Sequence, residues 1–434
     1  MKTNRIAIWM AFVAMLLAIL PAGAQQQRTQ DFKDKYKLQE AVVLSRHNIR
    51  APLSDSKSDL GHMTPHEWQK WGAGKSELTS RGGALETLMG QYFRNWAVDA
   101  GLFPENYIPT ADDVNVQANS MQRCIATAQY FVSGFMPVGG VTVNHRFTPS
   151  QMDPLFNPQL TKAGPAFKAE ALKQMSAAGG KKGMRGVNEA LKPNYALMDE
   201  VLDISESPMV KENSPKLAGL KNYDTEIVLE KWQEPHFKKG SALQDYNGAS
   251  DALILQYYEQ PDTLKATFGH PISREDVAKL AKIKGTYQDI LFSAPIVAVN
   301  VSQPLIKYMF DELRAPKRKF TFLVGHDSNI GAVLAALGAE PYELPATIER
   351  HTPIGSKLVV EKFQGADGQE YADVNLVYQT VDQLRNMDLL NLDNPPMVYP
   401  ISLSGLVRNA DGLYKLADVE KRFEDTLAAY DKLD

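Results

Sequence analysis

Hydrophobic positions along the chain fall into two recurring patterns. LQEAVVLS at 38–45 is a nearly continuous aliphatic and β-branched run, as expected of a strand buried on both faces. VNVQANS at 114–120 and FTFLV at 320–324 repeat that signature. Helical spacing follows each run. Leu85, Leu88, Met89, Tyr92, Phe93 and Trp96 mark a helix over 83–100, Ile125, Ala128, Phe131 and Val132 mark one in MQRCIATAQYFVSGF, and another is predicted over 329–337. REDVAKLAKIKGTYQDILF and PIVAVNVSQPLIKYMFDEL also carry helical spacing. SKLVVEKF and YADVNLVYQT predict two more strands joined by the hairpin-like QGADGQE, and a polar helix over 417–433 closes the chain.

Between 148 and 266 the pattern changes. Short helical segments are interrupted by AAGGKKGMRG and SPMVKENSPKL, which predicts an inserted, mainly helical domain. An α/β domain is then expected over 25–147 and 267–434. Strands alternating with helices predict a mostly parallel sheet with helices on both faces, whose ligands gather at the C-terminal ends of strands.

The N-terminus sets the compartment. Lys2 and Arg5 precede an apolar core from 6 to 20, and Ala22, Gly23 and Ala24 give a small-residue cleavage pattern, so residues 1–24 are expected to be a secretory signal peptide. The core is shorter than the ~20 residues of a membrane helix, so stable membrane insertion after cleavage is not expected. Losing Lys2 and Arg5 moves the formal net charge from −4 to −6, which argues against nucleic acid as a partner. The single cysteine, Cys124, allows no internal disulfide and no thiolate metal cluster, and reads as a small buried hydrophobe.

Three strand ends carry unusual chemistry. SRHNIRAPLS follows the first strand, Asn119, Ser120 and Arg123 follow the second, and Gly325, His326 and Asp327 follow the third. Arg46, Arg50 and Arg123 would supply three guanidiniums, whose forks match phosphate oxygens in geometry and charge. A histidine beside them has its protonated form disfavoured, which leaves His47 with a free lone pair for in-line attack on phosphorus. Asp327 is placed to protonate the departing alkoxide and later to activate water. Taken singly, each motif has a plainer reading: a solvated turn for RHNIR, a surface ion pair for Arg123, a helix N-cap for Asp327. Metal binding by His47, His326 and Asp327 is disfavoured by the flanking arginines, and no metal or cofactor is called for. His62, His66, His145, His236, His270 and His351 have no paired spacing that suggests a metal site; His62 and His66 lie in the loop after the first motif and are candidates for the pocket mouth.

Together, RHNIRAP, NSMQRCIATAQ and GHDSN resemble the histidine acid phosphatase family, whose first motif usually reads R-H-G-x-R-x-P and whose second reads H-D. SELTSRGG, MDPLFNP, LQYYEQ, TPIGSKLV and VYQTVDQLRN are similar to its periplasmic glucose-1-phosphatase branch, which shares Asn48 in place of the usual glycine. The resemblance implies His47 as nucleophile, Arg46, Arg50, Arg123 and His326 as phosphate ligands, Asp327 as proton donor, and Glu259 as a contact to the sugar. It also implies a smaller helical domain over the active site. The disulfides usual in that branch have no counterpart here.

The expected function is that of a periplasmic or secreted acid phosphomonoesterase acting on a small phosphate ester such as glucose 1-phosphate, with phytase side activity. A dedicated phytase would want more cations around the pocket; Lys181, Lys182 and Arg185 sit on a glycine-rich stretch and read as solvated charge. A non-catalytic phosphate-ester binder would need neither His47 nor Asp327. The preferred ester and the oligomeric state are left open.

Overall fold

The computed structural model describes residues 28–54 and 58–434. The expected signal at 1–24 lies outside the described residues. Among those described, no single helix is long and apolar enough to cross a membrane.

The described residues form nine strands: β1 (Tyr36–Arg46), β2 (Val114–Ala118), β3 (Ile227–Val228), β4 (His236–Phe237), β5 (Phe320–Gly325), β6 (Lys357–Gly365), β7 (Glu370–Tyr378), β8 (Met397–Pro400) and β9 (Tyr414–Lys415). The main sheet runs β2-β5-β1-β6-β7-β8, with β9 also paired to β7, while β3 and β4 form a separate ribbon. The three strands that carry the motifs are parallel neighbours, as the alternating pattern predicts. The rest of the sheet corrects the expectation of a mostly parallel arrangement: β6 lies antiparallel to β1, and β7, β8 and β9 continue antiparallel. The reason is the segment between the helix Asp327–Ala336 and β6. It climbs back to the C-terminal end of β1, so that Lys357 starts its strand opposite Ser45.

Alternation along β1 feeds two cores. Ala41 and Val43 face a cluster with the helices Ser80–Asp99 and Gln122–Phe135, while Val42 and Leu44 face one with Pro295–Leu313, Asp327–Ala336 and Leu416–Asp431. The helices after β1 and β5 thus cover opposite faces of adjacent strands. That is a topological switch point, which leaves a crevice at the strand ends.

The segment 148–266 holds several short helices and the long helix Ala242–Glu259. Its apolar cluster is completed by Leu280, Ile283, Ile290 and Leu291 from the helix Arg274–Phe292. The AAGGKKGMRG stretch is not an open loop: it forms a short 3-10 segment at Ala177–Lys182 and the helix Gly183–Ala190.

Two glycines let the helices Ser80–Asp99 and Gln122–Phe135 pack closely. A Cβ on Gly90 would lie 2.2 Å from the Phe131 carbonyl oxygen, and one on Gly134 would lie 2.2 Å from that of Thr87. Neither backbone oxygen can retreat without shifting a helix. Gly90→Ala is therefore expected to cost about 1–3 kcal/mol, read as a lower urea midpoint at unchanged slope.

Candidate active site

The site begins where the parallel ladder runs out. Beyond β1 and β5, the backbone N–H of His47 donates to the Gly325 carbonyl at 3.0 Å, and that of Asn119 to Val324 at 2.9 Å. All three strand ends are held together by these bonds. The turn after His47 is fixed from its other side, since Thr79 N–H donates to Ile49 and Ala51 N–H to Glu77, each at 2.9 Å.

The nucleophile candidate is almost fully buried, with 3% of its surface exposed, and its Nδ1 lies 2.9 Å from the Asn48 carbonyl oxygen. A carbonyl can only accept, so Nδ1 carries the proton and Nε2 keeps its lone pair. Burial first, and then Arg123, Arg50, His326 and Arg46, hold the His47 imidazole well below the usual histidine range. His326 stands edge-on to it, ring centroids 5.5 Å apart. Asn119 Nδ2 donates to His326 Nε2 at 2.7 Å, and burial followed by Arg123 keeps this ring neutral too. Its Nδ1–H is then the ring's donor.

The three arginines are held differently. Arg46, 1% exposed, donates to Glu349 Oε1 and to the Thr352 carbonyl, both at 2.6 Å, and lies 3.4 Å from Asp327. Arg50 reaches both oxygens of Asp251, at 3.2 and 3.0 Å. Arg123 is buried, yet among the described residues nothing accepts a hydrogen bond from its guanidinium, and its Nε is a buried donor without a partner. An unpaired buried cation is costly, and an anion entering here relieves it.

Asp327 is gripped by Lys284, whose Nζ lies 2.5 Å from Oδ2. Burial alone would raise this carboxyl, but Lys284 and Arg46 outweigh it and hold Asp327 well below the usual carboxylate range. The free site therefore contains an ionised Asp327. Any role as proton donor begins only after an anionic ligand offsets these cations.

His47, Arg50, Arg123, His326 and Asp327 line one cleft of about 1020 Å³, with Arg46 buried behind Asp327. Glu259, which the resemblance implies as a contact to the sugar, is not among the residues lining this cleft. It ends the helix Ala242–Glu259, accepts from Thr79 Oγ1 at 2.8 Å, and is raised by burial. The acidic residues that this helix does turn to the cleft are Asp245 and Asp251. His62 and His66 are not among the lining residues either. Cys124 is buried beside the site, and burial pushes its thiol up to about 12, which keeps it unreactive.

Sequence reasoning missed Lys284, Asp251 and Glu349. Lys284 left a trace: it occupies the apolar stripe of its helix with Val277, Leu280 and Ala281. A lysine on a buried stripe signals a partner inside. Asp251 left a similar trace, a lone carboxylate in the apolar helical run ASDALIL, whereas Glu349 stands in an irregular segment and left none.

A family model described as the histidine phosphatase superfamily, branch 2, matches residues 37–379. The chain belongs to that family. This phosphatase is 36% identical over 410 residues to a glucose-1-phosphatase of Salmonella typhimurium, covering 93% of this chain and 95% of the relative. It is 35% identical over 414 residues to a glucose-1-phosphatase of Providencia rettgeri, covering 94% and 95%. Among solved structures, the apo form of Hafnia alvei phytase superposes with a TM-score of 0.81 at 25% identity, covering 91% of this chain and 98% of that one. The histidine phosphatase therefore has relatives of both the glucose-1-phosphatase and the phytase kind.

Two measurements test the electrostatics. Inorganic phosphate should raise the melting temperature, and Arg123→Ala should weaken that protection about 10–100-fold in apparent affinity, the worth of one or two charge-assisted hydrogen bonds. The sign for His47 and His326 is also fixed. Both are depressed in the folded state, so as pH falls below the unfolded value of about 6.5 only the unfolded chain gains these protons, and stability drops. Phosphate-free unfolding at pH 7 and pH 5 should show this loss, and His47→Asn should reduce its slope by up to about 1.4 kcal/mol per pH unit.

Proposed function

We propose that this phosphatase hydrolyses monoesters of small sugars, such as glucose 1-phosphate, through a phosphohistidine on His47. The observation that carries the reading is the neutral His47, its Nδ1 occupied by the Asn48 carbonyl, in one cleft with the unpartnered guanidinium of Arg123. Arg50, Arg123 and the His326 Nδ1–H take the equatorial phosphoryl oxygens, and Arg46 supports them from behind. His47 Nε2 bonds to phosphorus as the ester P–O bond breaks, and Asp327 gives its proton to the leaving alkoxide. Water then attacks phosphorus, returns a proton to Asp327 and breaks the N–P bond. The ester's negative charge opposes the pull of Lys284 and Arg46 on Asp327, so an acidic medium loads that proton as substrate binds.

A sugar monophosphate suits the charges of the cleft better than a polyphosphate. Asp59, Glu234, Asp245 and Asp251 line it with Lys216 and Lys239, so its outer part is not a cation-rich bowl. Lys181, Lys182 and Arg185 do not line it, and Lys182 and Arg185 pair with Glu189 and Asp224 on the surface. The volume favours the second reading, a phytase, because about 1020 Å³ leaves ample room beyond one phosphate. The helical segment 148–266 would serve as a cap over the α/β part, since Met209, Lys216, Glu234 and Asp245 form one wall of the cleft. The signal-like residues 1–24 support export to a periplasm or beyond.

Purified protein at acidic pH should release phosphate from glucose 1-phosphate with higher kcat/KM than from inositol hexakisphosphate; the reverse order would favour the phytase. His47→Ala should lower turnover at least 1000-fold, and full retention would exclude the phosphohistidine. Asp327→Asn should slow alkyl esters far more than aryl phosphates, whose leaving groups need no proton; equal slowing would remove its role as acid.

A further inference from the structure

Outside the cleft, two histidines from distant segments meet one carboxylate. His66 lies on the loop between β1 and the helix Ser80–Asp99, Asp203 follows the helix Lys192–Val201, and His270 precedes the helix Arg274–Phe292. The Nε2 atoms of His66 and His270 lie 2.6 and 3.0 Å from the same oxygen, Asp203 Oδ2. One ligand atom from each residue falls within 4.8 Å of the other two. None of the three lines the catalytic cleft.

The arrangement is set by its surroundings. The His66 ring stacks on Phe268 at 5.2 Å with 9° between planes, which fixes the ring's direction. Thr267 Oγ1 donates to the His270 carbonyl at 2.6 Å and closes the turn that presents the second ring. Asp203 adopts a left-handed backbone, φ 47° and ψ 48°, which costs a residue with a Cβ and turns the chain sharply after its helix. The side chains are 32%, 36% and 23% exposed for His66, Asp203 and His270, so the cluster is half-buried with an open side.

We propose that His66, Asp203 and His270 form a divalent-metal site of the zinc class, separate from the phosphate chemistry. Two imidazole nitrogens and one carboxylate oxygen are a donor set suited to zinc, with water in the fourth, open position. Bonds of about 2.0–2.1 Å place neighbouring tetrahedral ligands about 3.3 Å apart. From 2.6 and 3.0 Å the two nitrogens would move back from Asp203 Oδ2 into that spacing as zinc replaces the protons between them, with all three ligand atoms already within 4.8 Å of one another. Each ring would then carry its proton on Nδ1. The ion would tie together the loop after the nucleophile strand, the helical segment and the start of the helix that carries Lys284. Its role is to brace these three segments. Imidazoles bind metal only when neutral, so acid should release it.

The test uses the protein purified without a histidine tag, titrated with Zn²⁺ at pH 7.5 against a chromophoric chelator, with the melting temperature followed in parallel. The expected result is one tight equivalent per chain, a rise in melting temperature that a chelator reverses, and binding at least tenfold weaker at pH 5.5. The double variant His66→Gln/His270→Gln, its folding checked by circular dichroism and by retained glucose 1-phosphate hydrolysis, should bind at least 100-fold more weakly. Asp203→Asn alone should weaken binding without abolishing it. Failure of the wild-type protein to take up Zn²⁺ at micromolar concentration would overturn the proposal. So would unchanged uptake by the double variant, which would place the ion on other residues.

Discussion

Like charge gathered at two strand ends is the constraint around which the rest of this structure is arranged. Arg46, Arg50 and Arg123 crowd two neutral histidines in a largely buried crevice, where the guanidiniums cannot be neutralised by losing protons. Buried acids compensate them unevenly. Glu349 and Asp327 answer Arg46, Asp251 answers Arg50, and Arg123 has no such partner among the described residues. An unevenly compensated cluster is ready for an anion, whereas a fully paired one would be only a structural ion network.

A second layer of buried charge keeps the turn after His47 in place. Asn48 Nδ2 donates to Glu86 Oε2 at 2.8 Å, and its own Oδ1 accepts from the Ile49 N–H at 2.9 Å. Glu86 in turn pairs with Lys357 at 2.7 Å, with both side chains fully buried. This gives Asn48 a physical role. Its amide joins the turn after His47 to Glu86 of the helix Ser80–Asp99, which holds β6 through Lys357, and removing one member of that buried ion pair costs about 3–5 kcal/mol. Asn48 also packs against Gly355, where φ is 65° and a Cβ would lie 2.6 Å from Asn48 Nδ2.

The antiparallel half of the sheet serves the same end. Had the chain after the helix Asp327–Ala336 entered a further parallel strand, it would have started at the far end of the sheet. Instead it returns to the site first, and on the way places Glu349 and the Thr352 carbonyl against Arg46. The helix Arg274–Phe292 acts comparably: its apolar stripe completes the core of the 148–266 segment while Lys284 reaches Asp327. Packing and charge placement are thus carried by the same elements.

The sequence by itself determined the strand-helix alternation, the parallel core of the sheet and the three strand ends that carry His47, Arg123 and Asp327. Those signals are local: buried runs, helical spacing and motif residues lie within a few positions of one another. LQYYEQ is recognisable from the sequence, while the fold decides that its helix turns Asp251 to the cleft and that Glu259 accepts from Thr79 outside the lining. Tertiary structure alone decided that the β6–β7 hairpin lies antiparallel against β1, the ionised state of Asp327 and the meeting of His66 with His270 at Asp203. Each depends on residues far apart in sequence, and a charge or a ligand set has no periodicity to reveal it before the chain has folded.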